Sequence, residues 1–120
     1  MADHNELGIK GEELAEKYLR NSGYEILERN WRFGKDEIDI IARDGDFLVI
    51  AEVKTRRTNY FGEPEEFVSR IKQRFLIRGA NAYIEKMDID LETRFDILSV
   101  LFAGKTYTVK QIKDAFYPLV

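Results

Sequence analysis

The sequence predicts a mixed α/β domain, with helices packed on one central five-stranded sheet, and three observations carry that prediction. Apolar residues recur at helical spacing near the N-terminus and again beyond residue 68. Elsewhere, short runs rich in β-branched and aromatic residues alternate, and "ARDGDF" sets an Asp-Gly pair between two of them. No repeat, low-complexity tract or Pro/Ser-rich linker interrupts the chain, whose prolines are Pro64 and Pro118. Residues 1–120 are therefore read as a single domain, with residues 1–5 expected to form a mobile tail.

The first element runs from about Glu6 to Ser22, because Leu7, Leu14, Ala15, Tyr18 and Leu19 fall on one helical face. "NSG" stops it, with Gly23 at the left-handed cap position. "YEILERNWRF" (Tyr24–Phe33) alternates and reads as a strand; Gly34-Lys35-Asp36 turns the chain. Glu37–Arg43 and Phe47–Thr55 then form a hairpin around Asp44-Gly45. Asn59–Pro64 is a loop. A second helix begins either at Pro64-Glu65-Glu66 or with Ser69 as N-cap, and reaches about Lys86. Val68, Ile71, Phe75, Ala82 and Tyr83 supply its apolar stripe. Arg94–Phe102 is a strand, Ala103-Gly104-Lys105 a turn, and Thr106–Ile112 a final strand.

Composition excludes several classes. A chain with 44% hydrophobic residues and 12% aromatics is a folded globule rather than a disordered one. It has no run of 18 apolar residues for a membrane span, and "MADHNELG" has no apolar core for a secretory signal. A cytoplasmic setting is expected. Without cysteine there are no disulfides and no thiolate metal sites. His4 is the only histidine and falls in the expected tail, which argues against histidine chemistry; "GIKGEE" lacks the phosphate-loop pattern. The net charge of −3 argues against a uniformly basic nucleic-acid binder.

The hairpin carries the chemistry. With Asp44 and Gly45 in the loop, Arg43 faces Asp46, Ile41 faces Leu48, Asp39 faces Ile50 and Glu37 faces Glu52. Alternation then puts Glu37, Asp39, Ile41, Leu48, Ile50, Glu52 and Lys54 on one face, and Ile38, Ile40, Val49, Ala51 and Val53 on the other. Like charges opposed on a sheet are destabilising. Mg²⁺ or Mn²⁺, held by one or two carboxylates, reverses the sign. A lysine beside such a site suits metal-assisted phosphodiester hydrolysis. Glu12 lies on the flank of the first helix's apolar face and is placed to reach over the sheet, whereas Glu13 points outward. The competing reading makes these acids solvent-facing residues of a half-exposed sheet, and the apolar Leu48 and Ile50 on their face speak against it.

Local charge offers a place for a polyanion. "KTRR" (Lys54–Arg57) leaves the hairpin as a basic run, and Arg70, Arg74 and Arg78 make one stripe of the second helix. Tyr60 and Phe61 either stack on bases or close over the core. Arg94 and Asp96 share a strand face and are read as a structural ion pair.

The order of motifs resembles a known family. An Asp followed by "EVK" on the next strand is similar to the PD-(D/E)xK nuclease signature. "GIKGEELAEKYLRNSGYEILERNWR", "DEIDIIARDGDFLVIAEVKTR", "FGEP…KQR" and "RFDILSV" together resemble the YraN family of bacterial proteins, from about Gly8 to Phe102. The resemblance implies a restriction-endonuclease-like core related to archaeal Holliday-junction resolvases. It implies Glu12, Asp39, Glu52 and Lys54 as catalytic residues, the three acids binding or orienting Mg²⁺ or Mn²⁺ and Lys54 assisting the attacking water. Arg56, Arg57, Lys72 and Gln73 are the candidate substrate-binding residues, the substrate being DNA, with a homodimer expected by analogy. One departure is Asp36, which stands where the family has glycine before Glu37. The rival expectation is an interaction module that keeps the fold and the charges without turnover.

Overall fold

In the computed structural model, residues 4–57 and 68–117 are described. The loop Asn59–Pro64, its aromatics Tyr60 and Phe61, and the Pro64 helix start lie outside them. The elements are α1 (His4–Asn21), β1 (Glu25–Phe33), β2 (Asp36–Asp44), β3 (Phe47–Arg57), α2 (Arg70–Met87), β4 (Glu92–Ala103) and β5 (Thr106–Phe116). The strands lie in sequence order in one mixed sheet, antiparallel except for the parallel β3–β4 pair. A parallel pair needs a crossover, and α2 lies within the connection that makes it.

Each face of the sheet is covered by one helix. Leu14, Ala15 and Leu19 of α1 pack with Ile40, Ala42, Val49, Ala51, Leu98 and Val100. Leu76, Ala80 and Tyr83 of α2 pack with Ile38, Ile41, Leu48, Ile50, Phe95 and Ile97 on the opposite face. This is the expected α/β class, five mixed strands flanked by helices, and it is consistent with a restriction-endonuclease-like core.

Of the two helix starts left open, Ser69 is the cap of α2: its side chain accepts the Lys72 N–H. Two local expectations need correction. The buried stripe of α2 is Leu76, Gly79, Ala80 and Tyr83, whereas Ile71 is 64% exposed. Gly79 lies in that stripe, and a Cβ there would meet Ile38 Cδ1 at 3.0 Å, so the glycine lets this face of the helix approach the sheet. Finally, β5 continues past Ile112 to Phe116 through a register shift opposite Phe95/Ile97. Asp114 turns left-handed there, and its N–H donates to Asp96 Oδ1 (3.1 Å). Asp96 also holds Arg94 (3.0 Å), as expected, and Arg94 in turn donates to Asp44 and to the Tyr24 hydroxyl. This buried network ties β5 and the hairpin end together and takes no part in the site described next.

Candidate functional site

The β2–β3 turn lies one residue further along the chain than the sequence reading has it, which shifts the register by two. Asp44 pairs with Phe47, so Gly45 and Asp46 form the loop and Gly45 takes φ +58°. Asp44 is kept in the strand, where its carboxylate accepts from Arg94 (3.0 Å). A two-residue shift leaves each side chain's face unchanged but alters every partner. Ile41 faces Ile50 and Ile40 faces Ala51, so the register brings Asp39 opposite Glu52 rather than Ile50, and Glu37 is not opposite Glu52.

The ladder ends at Ile40/Ala51. Beyond it, the Val53 N–H donates to the Asp39 carboxylate (Oδ2, 2.8 Å) instead of to a backbone carbonyl. Alternation also breaks: Ile38 belongs to the α2-side core and Ile40 to the α1-side core, although two residues apart. The irregularity coincides with Asn30 of β1, which stands opposite Asp39 and has φ +51°. The sheet thus opens at one point, and the Asp39 carboxyl occupies the opening.

Asp39 and Glu52 are in contact through a shared hydrogen bond. Burial, and then the neighbouring Glu52 carboxylate, push the Asp39 pKa up to about 8, so the pair holds a proton at neutral pH. Glu52 Oε2 lies 3.7 Å from Lys72 Nζ, and Glu52 Oε1 is buried with no hydrogen-bond partner. Lys54 follows two residues along β3, half-buried and paired in register with Ser99.

Glu12 arrives from α1 because Gly11 lets that helix touch β3. A Cβ at Gly11 would overlap the Thr55 side chain. Burial, and then the Asp39 charge, raise the Glu12 pKa, which places the two carboxyls within electrostatic reach. Glu12 is 3.7 Å from Arg29, which is bound more closely to Glu16 (2.8 Å). Among the described residues, no three acids converge tightly enough to enclose an ion; the close pair is Asp39–Glu52, with Glu12 and Glu37 behind it. Arg56 and Arg57 do not leave the sheet but continue β3, paired with Leu101 and Phe102 and exposed. Gln73 donates to the Val68 carbonyl (2.8 Å), securing the approach to α2. Lys72 is the member of the α2 pair that reaches the carboxyls.

The sequence model of the uncharacterised protein family UPF0102 matches residues 11–100, a span that includes Glu12, Asp39, Glu52 and Lys54. The chain belongs to family UPF0102. This is the YraN family that the motifs resemble. UPF0102 proteins from Christiangramia forsetii and Flavobacterium psychrophilum are 49% and 48% identical over 117 residues, covering 98% of each chain. One from Bacteroides thetaiotaomicron is 47% identical over 118 residues, again with 98% of each chain covered.

Two residues of this UPF0102 chain escaped the sequence reading, and both carried a signal. Gly11 lies inside a helix, where glycine is unfavourable unless close packing needs it. Asn30 interrupts an aromatic, β-branched strand, a place where asparagine is depleted.

Proposed function

We propose that this protein is a divalent-metal-dependent nuclease that hydrolyses phosphodiester bonds in DNA. The observation that carries the reading is the Asp39–Glu52 contact at the open end of the hairpin. It joins two carboxyls, one with a buried oxygen that no hydrogen bond satisfies, beside Lys72 of α2 and two residues before Lys54 along β3. That donor set fits Mg²⁺ or Mn²⁺, which take hard oxygen ligands and need only one or two from protein. Asp39 and Glu52 would hold the ion, with Glu12 as a further ligand or water-orienter. The ion supplies Lewis-acid polarisation of a phosphoryl oxygen.

The remaining work falls to the chain. The Val53 N–H fixes one Asp39 oxygen and with it the orientation of the carboxyl. Lys54 offsets the negative charge that develops on the phosphoryl oxygens, and Lys72 keeps Glu52 oriented. Arg56 and Arg57 meet flanking phosphates at the exposed end of β3. The likeness to junction resolvases makes branched DNA, cut by a two-fold dimer, the first substrate to try.

A non-catalytic interaction module is the second reading, and the shared proton favours it: it relieves the repulsion between Asp39 and Glu52 without an ion. Mn²⁺ titration with cleavage assays on branched, single-stranded and duplex DNA separates the two. The nuclease reading expects millimolar Mn²⁺ to raise the unfolding temperature. It also expects Glu52→Ala and Lys54→Ala each to lose about 100-fold or more in cleavage rate. No thermal shift and no cleavage by the wild type would leave the interaction module standing.

A further inference from the structure

Asn30 is one of three non-glycine residues with positive φ among those described. The other two have evident local causes: Asp88 caps α2, and Asp114 borders the β5 irregularity. Asn30 stands at the face reversal described above: its neighbours Arg29 and Trp31 pair with Ile40 and Ile38, which pack on opposite faces of the sheet. A left-handed backbone at such a point persists only where the surroundings fix it.

What the left-handed turn achieves is visible in the side chain. With its amide oriented nitrogen-first, Asn30 Nδ2 donates to Glu12 Oε1 (2.8 Å) and to Glu37 Oε1 (2.9 Å). One neutral NH₂ group, with two donors, thus spans two carboxylates from different elements that would otherwise repel. Its neutrality matters, because a cation in that place would compete with a metal ion. The competitor is adjacent: Arg29 stands 3.7 Å from Glu12 and already binds Glu16. Glu37 has a second partner of its own, exposed Arg32 at 3.5 Å. Each acid therefore has an arginine ready to draw it away from Asp39, and Asn30 is the group that joins the two acids to each other.

We propose that Asn30 is a positioning residue that holds Glu12 and Glu37 beside Asp39, facing the ion held by Asp39 and Glu52. This rests on the ion-site reading above. An asparagine kept only for its tolerance of a left-handed backbone would be replaced by glycine without consequence, and that difference supplies the test.

The measurement is Mn²⁺ affinity by calorimetry on the full chain, for wild type, Asn30→Gly, Glu12→Gln and the double variant. Glycine adopts φ +51° without strain, so the metal-free Asn30→Gly protein is expected to unfold no lower than wild type. Its Mn²⁺ dissociation constant is expected to rise about tenfold, the usual scale for loss of an outer partner of a ligand. Because Asn30 acts through Glu12, the double variant should bind no more weakly than Glu12→Gln alone, apart from what Glu37 contributes. Asn30→Ser, too short to span both acids, should weaken binding as glycine does and guards against a fold defect peculiar to glycine. Wild-type affinity in Asn30→Gly and Asn30→Ser would overturn the positioning role while leaving the ion site intact, and so would fully multiplicative effects in the double variant. A wild type that binds no Mn²⁺ would overturn both.

Discussion

Asp39 keeps its proton because its carboxyl is buried against a second carboxyl, with only the Val53 N–H and the more distant Lys72 favouring the charge. The sign of the pH effect follows. Its pKa in the folded protein, about 8, lies above that of the unfolded chain, so the folded state binds the extra proton between the ordinary carboxylate range and pH 8. Stability contributed by this group is present below that window and is lost as pH rises through it. Glu12, also raised by burial and by Asp39, adds to the slope in the same direction. Asp39→Asn removes the titration. It is expected to unfold above wild type at pH 8.5, by roughly 5 °C, and to differ little at pH 5. Thermal unfolding across that range decides it, and equal pH slopes in the two proteins would show that Asp39 ionises freely.

At the scale of elements, the site exists because α1 and β3 approach each other at Gly11. A methyl group there meets Thr55 Cβ and Cγ2 at 2.9 Å, so Gly11→Ala must lift the helix, and Glu12 with it, away from Asp39. The expected loss is about 1–3 kcal/mol in denaturant unfolding, the scale of an overpacked core. Thr55→Ala in the same chain should restore part of it, since trimming the side chain frees the space. No rescue would place the tight contact elsewhere. The hairpin contributes the second half: Gly45 at its left-handed position sets a two-residue loop, and that loop aligns Asp39 with Glu52.

Over the whole molecule, charge is sorted rather than merely acidic. Net charge is −3, yet Arg70, Arg74 and Arg78 line the outer side of α2 with no ion pair to a carboxylate among the described residues. Arg78 lies over the Phe75 ring, 4.8 Å from its centre. Ile71, Arg74, Phe75, Ile77 and Arg78 border an open cleft of about 420 Å³. Lys72 at the start of the same helix reaches Glu52, so the ridge begins beside the carboxyls. If a DNA backbone follows it, Arg74→Glu with Arg78→Glu will weaken binding and flatten the dependence of log K on log salt. The expected change in slope is about 0.9 for each phosphate the variant no longer neutralises. Mn²⁺ affinity should be untouched, because neither arginine touches the acids. An unchanged slope would make the ridge an ordinary solvated helix face.

The sequence by itself determined the class of fold, the order of elements and which acids the hairpin carries. These follow from periodicity, turn chemistry and motif order, all of which act between near neighbours in the chain. The two-residue error in register preserves parity, so Glu52 lies where alternation put it, although Ile38 leaves the face that alternation gave it. Tertiary structure alone decided that Asp39 meets Glu52, since Asp44 is drawn into the strand by Arg94, 50 residues away in sequence. It alone turned α2 about its axis, with Gly79 close to Ile38 and Ile71 exposed. It alone bent β1 at Asn30 toward Glu12 and Glu37. The physical reason is common to all three: local periodicity ranks which surfaces can be buried, whereas close packing and charge pairing between distant segments choose among them.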